Sequence, residues 1–433
     1  MPGDKSITHR ALLLAALAEG RSRIEGPLLA GDALATRGVL AGWGVEVTEG
    51  APGSGGKVAW EVRGRGLRGL VAPQGPLDCG RSGTTLRLAA GIAAGQGHPV
   101  TLSGDPQLLA RPMGRIRDPL RALGATVEGP GDAARAPLFI HGGALRGGAW
   151  TPEVASAQVK SCLLLAGLCA GVEVTVVERT PTRDHTERLL RHLGVELTVT
   201  AGADGAQRVA LPAGAGPLPA FTLEVPGDPS SASFLWAWAA LTPGGDVSVE
   251  DVALNPGRTG LLRVLARMGA QVECTPAGSR GGEPVGRVRV RGQALRAVEV
   301  GGAELVALVD EVPLLALLAT QATGTTRVRD ASDLRHKESD RLATTAAELG
   351  RLGAQVEVLP DGLRVRGPTP LHGAVVESHG DHRLAMTLAT AGLVAHGATT
   401  VRGVACHRDS FPGFCERVAA LGGRVDALEE APC

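Results

Sequence analysis

Two phrases alternate along the 433 residues and mark where apolar helices give way to strands. In the first, a Leu-rich helix end runs into Gly, a small residue, and then Val or Leu two places on. It falls at Gly44, Gly124, Gly194, Gly269, Gly353 and Gly422. In the second, an Ala-rich helix runs into Gly and an alternating strand, at Gly20, Gly97, Gly171, Gly245, Gly324 and Gly397. Both describe a helix stopped by a left-handed Gly, with an extended segment after it. Each series repeats with a period of about 75 residues. The pattern therefore predicts six copies of an α/β unit, grouped as two domains of three. The break is expected at Val225-Pro226-Gly227-Asp228, giving a first domain over 5–225 and a second over 226–433 together with 1–4. Gly50–Gly56 and Gly278–Gly286 read as hairpin loops.

Composition narrows the class. Hydrophobic residues make up 44% and charged residues 20%, as in an ordinary globular chain. Formal net charge is zero, which argues against a general nucleic-acid binder. Aromatic residues are 2% and Tyr is absent, so base-stacking platforms are not expected. The seven cysteines (79, 162, 169, 274, 406, 415 and 433) form no CxxC pair, and neither a disulfide framework nor a zinc site is indicated. The start has no signal-peptide succession, and apolar runs such as Ala11–Ala18 are too short to span a bilayer. A cytoplasmic location is expected. Only four of the 44 basic residues are Lys: Lys5, Lys57, Lys160 and Lys337. A Lys kept where Arg is the rule points to a place that needs an ammonium.

Candidate chemistry sits where polar residues open apolar helices. Pro2-Gly3-Asp4-Lys5-Ser6-Ile7-Thr8-His9-Arg10 leads into one, Cys79-Gly80-Arg81-Ser82-Gly83-Thr84-Thr85-Leu86-Arg87 into another, and Ala155-Ser156-Ala157-Gln158-Val159-Lys160-Ser161 into a third. Arg183-Asp184-His185-Thr186-Glu187 lies close by in sequence. Farther on come Asp310-Glu311-Val312-Pro313, Asp333 to Arg341, and His379-Gly380-Asp381-His382-Arg383. A helix N-terminus presents free N–H groups and a positive dipole end, which suits an anion. Capping or a solvated face accounts for any one of these segments alone. If 333–341 begins a helix, Lys337 and Arg341 share a face and repel unless an anion or Glu338 intervenes. Together the segments suggest fixed cations arranged for phosphorylated ligands.

These residues resemble a known family in order and over nearly the whole chain. PGDKSITHRALLLAALA, GRSGTTLRL, ARPMGRI, ASAQVKSCLLLAGL, TRDHTE, HKESDRL and GDHRLAM are similar to the motifs of the 5-enolpyruvylshikimate-3-phosphate synthases. The resemblance implies two inside-out α/β domains, each of three βαβαββ units, closing over an active site in the interdomain cleft. It implies transfer of the enolpyruvyl group of phosphoenolpyruvate to the 5-hydroxyl of shikimate 3-phosphate, with release of phosphate and no cofactor or metal. By motif, Lys5, Ser6, Arg10, Ser156, Gln158, Arg183, Asp310 and Lys337 would hold shikimate 3-phosphate. Lys5, Gly83, Arg111, Gln158, Arg341 and Arg383 would hold phosphoenolpyruvate. Asp310 would take the proton of the 5-hydroxyl, and Glu338 and Lys5 would move protons at the enol carbons. Glyphosate is an expected inhibitor, and a monomer without nucleic-acid or membrane partners is expected.

The chain also departs from the family. It begins almost at PGDKS, where the family usually has a further leading strand. Arg81 stands where the family usually has Asn, and Asp409 where one subgroup has Lys. Asp333 stands where some members have a substrate-contacting Asn, and Ala157 where a subgroup has a second Ser. The competing expectation is the sister transferase that acts on UDP-N-acetylglucosamine. That enzyme resembles KN rather than DKS at the first motif and has a Cys on a mobile loop, whereas ARPMGRI has none.

Overall fold

The structure is a computed structural model, and it describes residues 1–132, 134–143 and 145–426. The helices used below are α1 (Lys5–Leu17), α2 (Gly31–Gly42), α3 (Gly83–Gly95), α4 (Ala157–Ala170), α5 (His185–His192), α6 (Pro229–Leu241), α7 (Val312–Thr320), α8 (Arg341–Arg351) and α9 (His382–Gly392). The polar openings of five of them act as caps. Asp4 accepts from the Ile7 amide, Ser82 from Thr85, Ser156 from Val159, Asp340 from Leu342 and Ala343, and Asp381 from Arg383 and Leu384. Such a cap contributes about 1 kcal/mol and fixes the residue at which the helix begins.

The chain divides into two compact units: Met1–Asp228 with Asp251–Arg258 and Pro276–Gly286, and Pro229–Glu250 with Thr259–Thr275 and Arg287–Cys433. The first unit holds three four-stranded sheets with one shared plan. In the plainest, Leu77–Asp78 runs parallel to Pro99–Ser103. Pro99–Ser103 pairs antiparallel with Leu138–His141, which pairs antiparallel with Thr126–Glu128. The sheet of Gly148–Trp150, Val174–Glu178, Gln207–Leu211 and Thr198–Ala201 repeats the plan. The sheet built on Arg21–Glu25 repeats it too, but its parallel edge strand is Thr222–Glu224, from the far end of the unit. In the second unit the same plan recurs in Glu299–Val300, Gly324–Val328, Gly362–Gly367 and Gln355–Leu359. Asp246–Ala253, Glu283–Arg291 and Gln271–Arg280 form a three-stranded sheet, and Val375–Glu377 pairs with Thr400–Arg402.

Helices lie inside and sheets outside. In α3 and α4 nearly every residue is buried, with no polar face. A helix apolar all round belongs in a core. The outer strands alternate, as Pro99–Ser103 does, between covered and open positions. Close approach of α3 to α4 requires Gly91: a Cβ there would lie 2.0 Å from the Cys162 carbonyl oxygen. In the second unit α6, α7 and α9 pack on one another. Each fully buried Leu of these helices contributes about 1.5–3 kcal/mol. The architecture is thus the expected two-domain inside-out α/β fold.

Ten of the twelve marker glycines have positive φ; Gly97 and Gly245 do not. At the latter, Gly244 takes the left-handed conformation one residue earlier. At the former, α3 ends through Gln96 in an extended conformation, and the Gln96 side chain donates to the Leu67 carbonyl. The Gly278–Gly286 hairpin turns at Gly281-Gly282, both with positive φ, as a two-residue turn between twisted strands requires.

One condition posed by the sequence is not met. Residues 333–341 are not a single helix start. Ser332–His336 forms a 3-10 turn, Lys337 is extended, and Asp340 caps a new helix at Arg341. Lys337 and Arg341 therefore share no helical face, and their side chains meet over Asp310 instead.

Candidate active site

In the first unit, α1 presents three of the expected residues. Lys5 Nζ lies 2.9 Å from Asp32 Oδ2 on α2. Ser6 Oγ accepts from Arg258 Nη1 at 3.0 Å. Arg10 is buried and spans outward, donating to Thr186 Oγ1 and Ser161 Oγ at 2.7 Å each and to the Ser6 carbonyl at 3.0 Å. Burial lowers its pKa to about 10, so it keeps its charge at neutral pH. Ser156 caps α4, and Gln158 in the first turn is held at both ends of its amide. Its Oε1 accepts from Arg87 Nη1 at 2.6 Å, and its Nε2 donates to Thr84 Oγ1 at 2.9 Å. Arg183 lies in the segment before α5, its Cα 3.2 Å from where a Cβ on Gly257 would stand.

Gly83 opens α3 directly beside Arg111. A Cβ on Gly83 would come within 2.9 Å of Arg111 Nη1 and 3.2 Å of its Cζ. The space belongs to the guanidinium, and a methyl group there must push it aside. If Arg111 meets phosphoenolpyruvate, as the resemblance implies, Gly83→Ala is expected to raise its KM about tenfold through loss of a charge-assisted contact, with the unfolding midpoint unchanged. Steady-state kinetics beside thermal unfolding check this; an unchanged KM would contradict the placement of Arg111. Arg81, the extra cation of this loop, is engaged by Gln107 Oε1 at 2.9 and 2.6 Å and lies 3.5 Å from Asp105.

In the second unit the expected residues form one cluster. Asp310 sits in the 3-10 turn Val309–Glu311. Its Oδ1 is 3.3 Å from Arg341 Nη1 and 3.5 Å from Lys337 Nζ. Glu338 Oε2 accepts from Arg341 Nη2 at 2.7 Å, and Asp381 Oδ2 from Arg341 Nε at 2.7 Å. Arg383, the second residue of α9, donates to the Ser230 carbonyl at 3.2 Å and lies 3.6 Å from Glu311. Burial opposes the charge of Arg341, but Asp381, Glu338 and Asp310 outweigh it and hold its pKa above the ordinary value. Lys337 goes the other way: burial lowers its pKa, and Asp310 and Asp333 restore only part of it.

That depression has a measurable consequence. Lys337 loses its proton at lower pH than a free lysine, so activity that depends on its charge falls on the alkaline side before pH reaches the ordinary lysine value. In Lys337→Arg the cation persists, and the alkaline limb of the kcat/KM profile is expected to move to higher pH. A limb that stays in place would assign it to another group.

Several residues in these networks escape sequence reasoning. Asp32 holds Lys5, Arg258 holds Ser6, and Arg87 holds Gln158. Arg87 stands inside the motif GRSGTTLRL, and its buried charge is the signal that points to it. Asp32 and Arg258 belong to no quoted motif. Lys160 has a different outcome. Its ammonium is wholly buried between Glu178 at 2.8 Å and Glu187 at 2.6 Å, tying α4 to α5 and to the strand Val174–Glu178. Lys57 pairs with Glu224 and Asp251 near the surface.

The arrangement of helices inside and sheets outside is shared with solved enolpyruvyl transferases. The crystal structure of the enolpyruvyl transferase NikO from Streptomyces tendae superposes with a TM-score of 0.74 at 21% identity, covering 98% of this chain and 94% of that one. The EPSP synthase from Acinetobacter baumannii superposes with a TM-score of 0.81 at 38% identity, covering 97% and 94%. Residues 1–418 match the family EPSP synthase (3-phosphoshikimate 1-carboxyvinyltransferase). The 3-phosphoshikimate 1-carboxyvinyltransferase of Roseiflexus sp. (strain RS-1) is 48% identical over 425 residues, 98% of this chain and 96% of the relative. That of Thermus thermophilus is 48% identical over 422 residues, 97% and 95%. The chain belongs to the EPSP synthase family.

Proposed function

We propose that this chain transfers the enolpyruvyl group of phosphoenolpyruvate to the 5-hydroxyl of shikimate 3-phosphate and releases phosphate. The observation that carries the reading is the cluster in the second unit: two carboxylates, Asp310 and Glu338, held at one guanidinium with an ammonium beside them. Adding an alcohol across an enol double bond needs a base at the hydroxyl and an acid at the methylene carbon. Asp310 takes the 5-hydroxyl proton as that oxygen bonds to C2 of the donor. Glu338, with Lys5, delivers a proton to C3. Elimination reverses the C3 transfer as the C2–O bond to phosphate breaks.

Binding follows the charges. Arg10, Arg183 and Lys337, with Ser6 and Ser156, suit the shikimate 3-phosphate anion. Lys5, Arg111, Arg341 and Arg383, with the Gly83 amide and Gln158, suit the carboxylate and phosphate of phosphoenolpyruvate, where Arg gives bidentate contacts. Inhibition by glyphosate is part of the same reading: the Arg111 guanidinium stands against Gly83, where a side chain would displace it. No helix among the described residues is long and apolar enough to cross a membrane, and a monomer in the cytoplasm is the proposed state. Coupled phosphate-release assays test the reading: turnover is expected with shikimate 3-phosphate and not with UDP-N-acetylglucosamine. The opposite preference would identify the sister activity, and turnover with neither would overturn the proposal.

A further inference from the structure

A chain of buried side chains inside the first unit joins α1, α2 and α3 and includes none of the residues proposed above to meet ligands. His9 Nδ1 lies 2.7 Å from Thr36 Oγ1, and Thr36 Oγ1 lies 2.7 Å from Thr85 Oγ1. Thr85 Oγ1 is 2.9 Å from Ser82 Oγ and 3.4 Å from the Asp32 carbonyl oxygen. His9, Thr36 and Thr85 are completely covered and Ser82 is nearly so. With Thr85 donating to Ser82, Thr36 donates to Thr85 and His9 donates through Nδ1–H. That leaves Nε2 a bare acceptor, buried without a partner among the described residues. Burial, the largest influence, lowers the His9 pKa to about 3, so the ring is neutral.

Apolar side chains would pack three helices together at less cost. A polar chain with an unpaired end fixes relative position instead, because its bonds form in one register only. What the chain touches shows which position matters. Ser82 caps α3 immediately before Gly83, its Oγ accepting from the Thr85 amide at 3.2 Å. The Asp32 carbonyl meets Thr85, and the carboxylate of the same residue, one turn before Thr36 on α2, holds Lys5 Nζ.

We propose that Thr36 is a positioning residue for the enolpyruvyl donor, setting with His9 the first turn of α3, where Gly83 stands, against α1, where Lys5 stands. This rests on the reading that Lys5 and Gly83 meet phosphoenolpyruvate. Thr36 itself touches no ligand and acts through its neighbours.

Thr36→Val keeps the shape and removes the hydroxyl. It is expected to raise KM and the calorimetric Kd for phosphoenolpyruvate about tenfold while kcat at saturation stays within about threefold, as for a lost positioning hydrogen bond. Thr36→Ser restores the hydroxyl and is expected to return both to within about twofold of wild type. A purely structural role would lower the unfolding midpoint of Thr36→Val without moving the donor affinity, and that result would overturn the proposal. So would a Thr36→Ser variant as impaired as Thr36→Val. If Thr36→Val does not fold, His9→Leu breaks the same chain one bond away and is judged by the same criterion. Wild-type protein that binds phosphoenolpyruvate but releases no phosphate would overturn the proposed function instead, while the affinities still decide the role of Thr36.

Discussion

Asp310→Asn is expected to lower kcat by about 10²–10⁴-fold, the range for removing a general base, with KM for both substrates changed far less. The substitution keeps the shape and an oxygen that can accept from Arg341 and Lys337, which lie 3.3 and 3.5 Å from Oδ1. It removes the charge proposed to receive the hydroxyl proton. Steady-state kinetics with thermal unfolding as a control would check it. Turnover within about threefold of wild type would move the base elsewhere.

Lys337→Ala is expected to lower kcat/KM by about 10²–10³-fold, the range for deleting one preorganised charge-stabilising group, without unfolding the chain. Lys337 is the better probe than its neighbour Arg341. Removing Arg341 would leave Asp310, Glu338 and Asp381 without their shared cation, a buried-charge penalty of about 3–5 kcal/mol. Lost activity could then not be told from lost fold. Lys337 is partly open and lies 3.5 Å from Asp310. Arg383→Ala, a parallel test, is expected to lose turnover as well. Its burial and the 3.6 Å approach to Glu311 predict some loss of stability too. Unchanged activity in either variant would sink the assignment.

Much of this was legible in the sequence because it is local. Helix starts follow from Asp4, Ser82, Ser156, Asp340 and Asp381, each capping its own next turn. The six-fold repeat follows from glycines that stop helices, and where Gly97 and Gly245 miss the left-handed conformation an adjacent residue ends the helix. What escaped is long-range. Nothing near Arg21–Glu25 announces that Thr222–Glu224 will complete its sheet. Nothing in Asp32 or Arg258 announces Lys5 or Ser6, because the chain between them sets the approach. The condition that 333–341 begins one helix is not met for a local reason: Asp340 starts a new helix and frees Lys337 to turn toward Asp310. The resemblance located the residues expected to meet ligands, while the residues holding them in place became visible only in three dimensions.

The most direct test of the central claim is to run the reaction in D₂O and identify the products by NMR and mass. Addition and elimination at C3 predict one phosphate released for each shikimate 3-phosphate consumed, with the enolpyruvyl ether formed at the 5-oxygen and deuterium in its vinyl methylene. Phosphate appearing with free pyruvate, and shikimate 3-phosphate recovered unchanged, would contradict it.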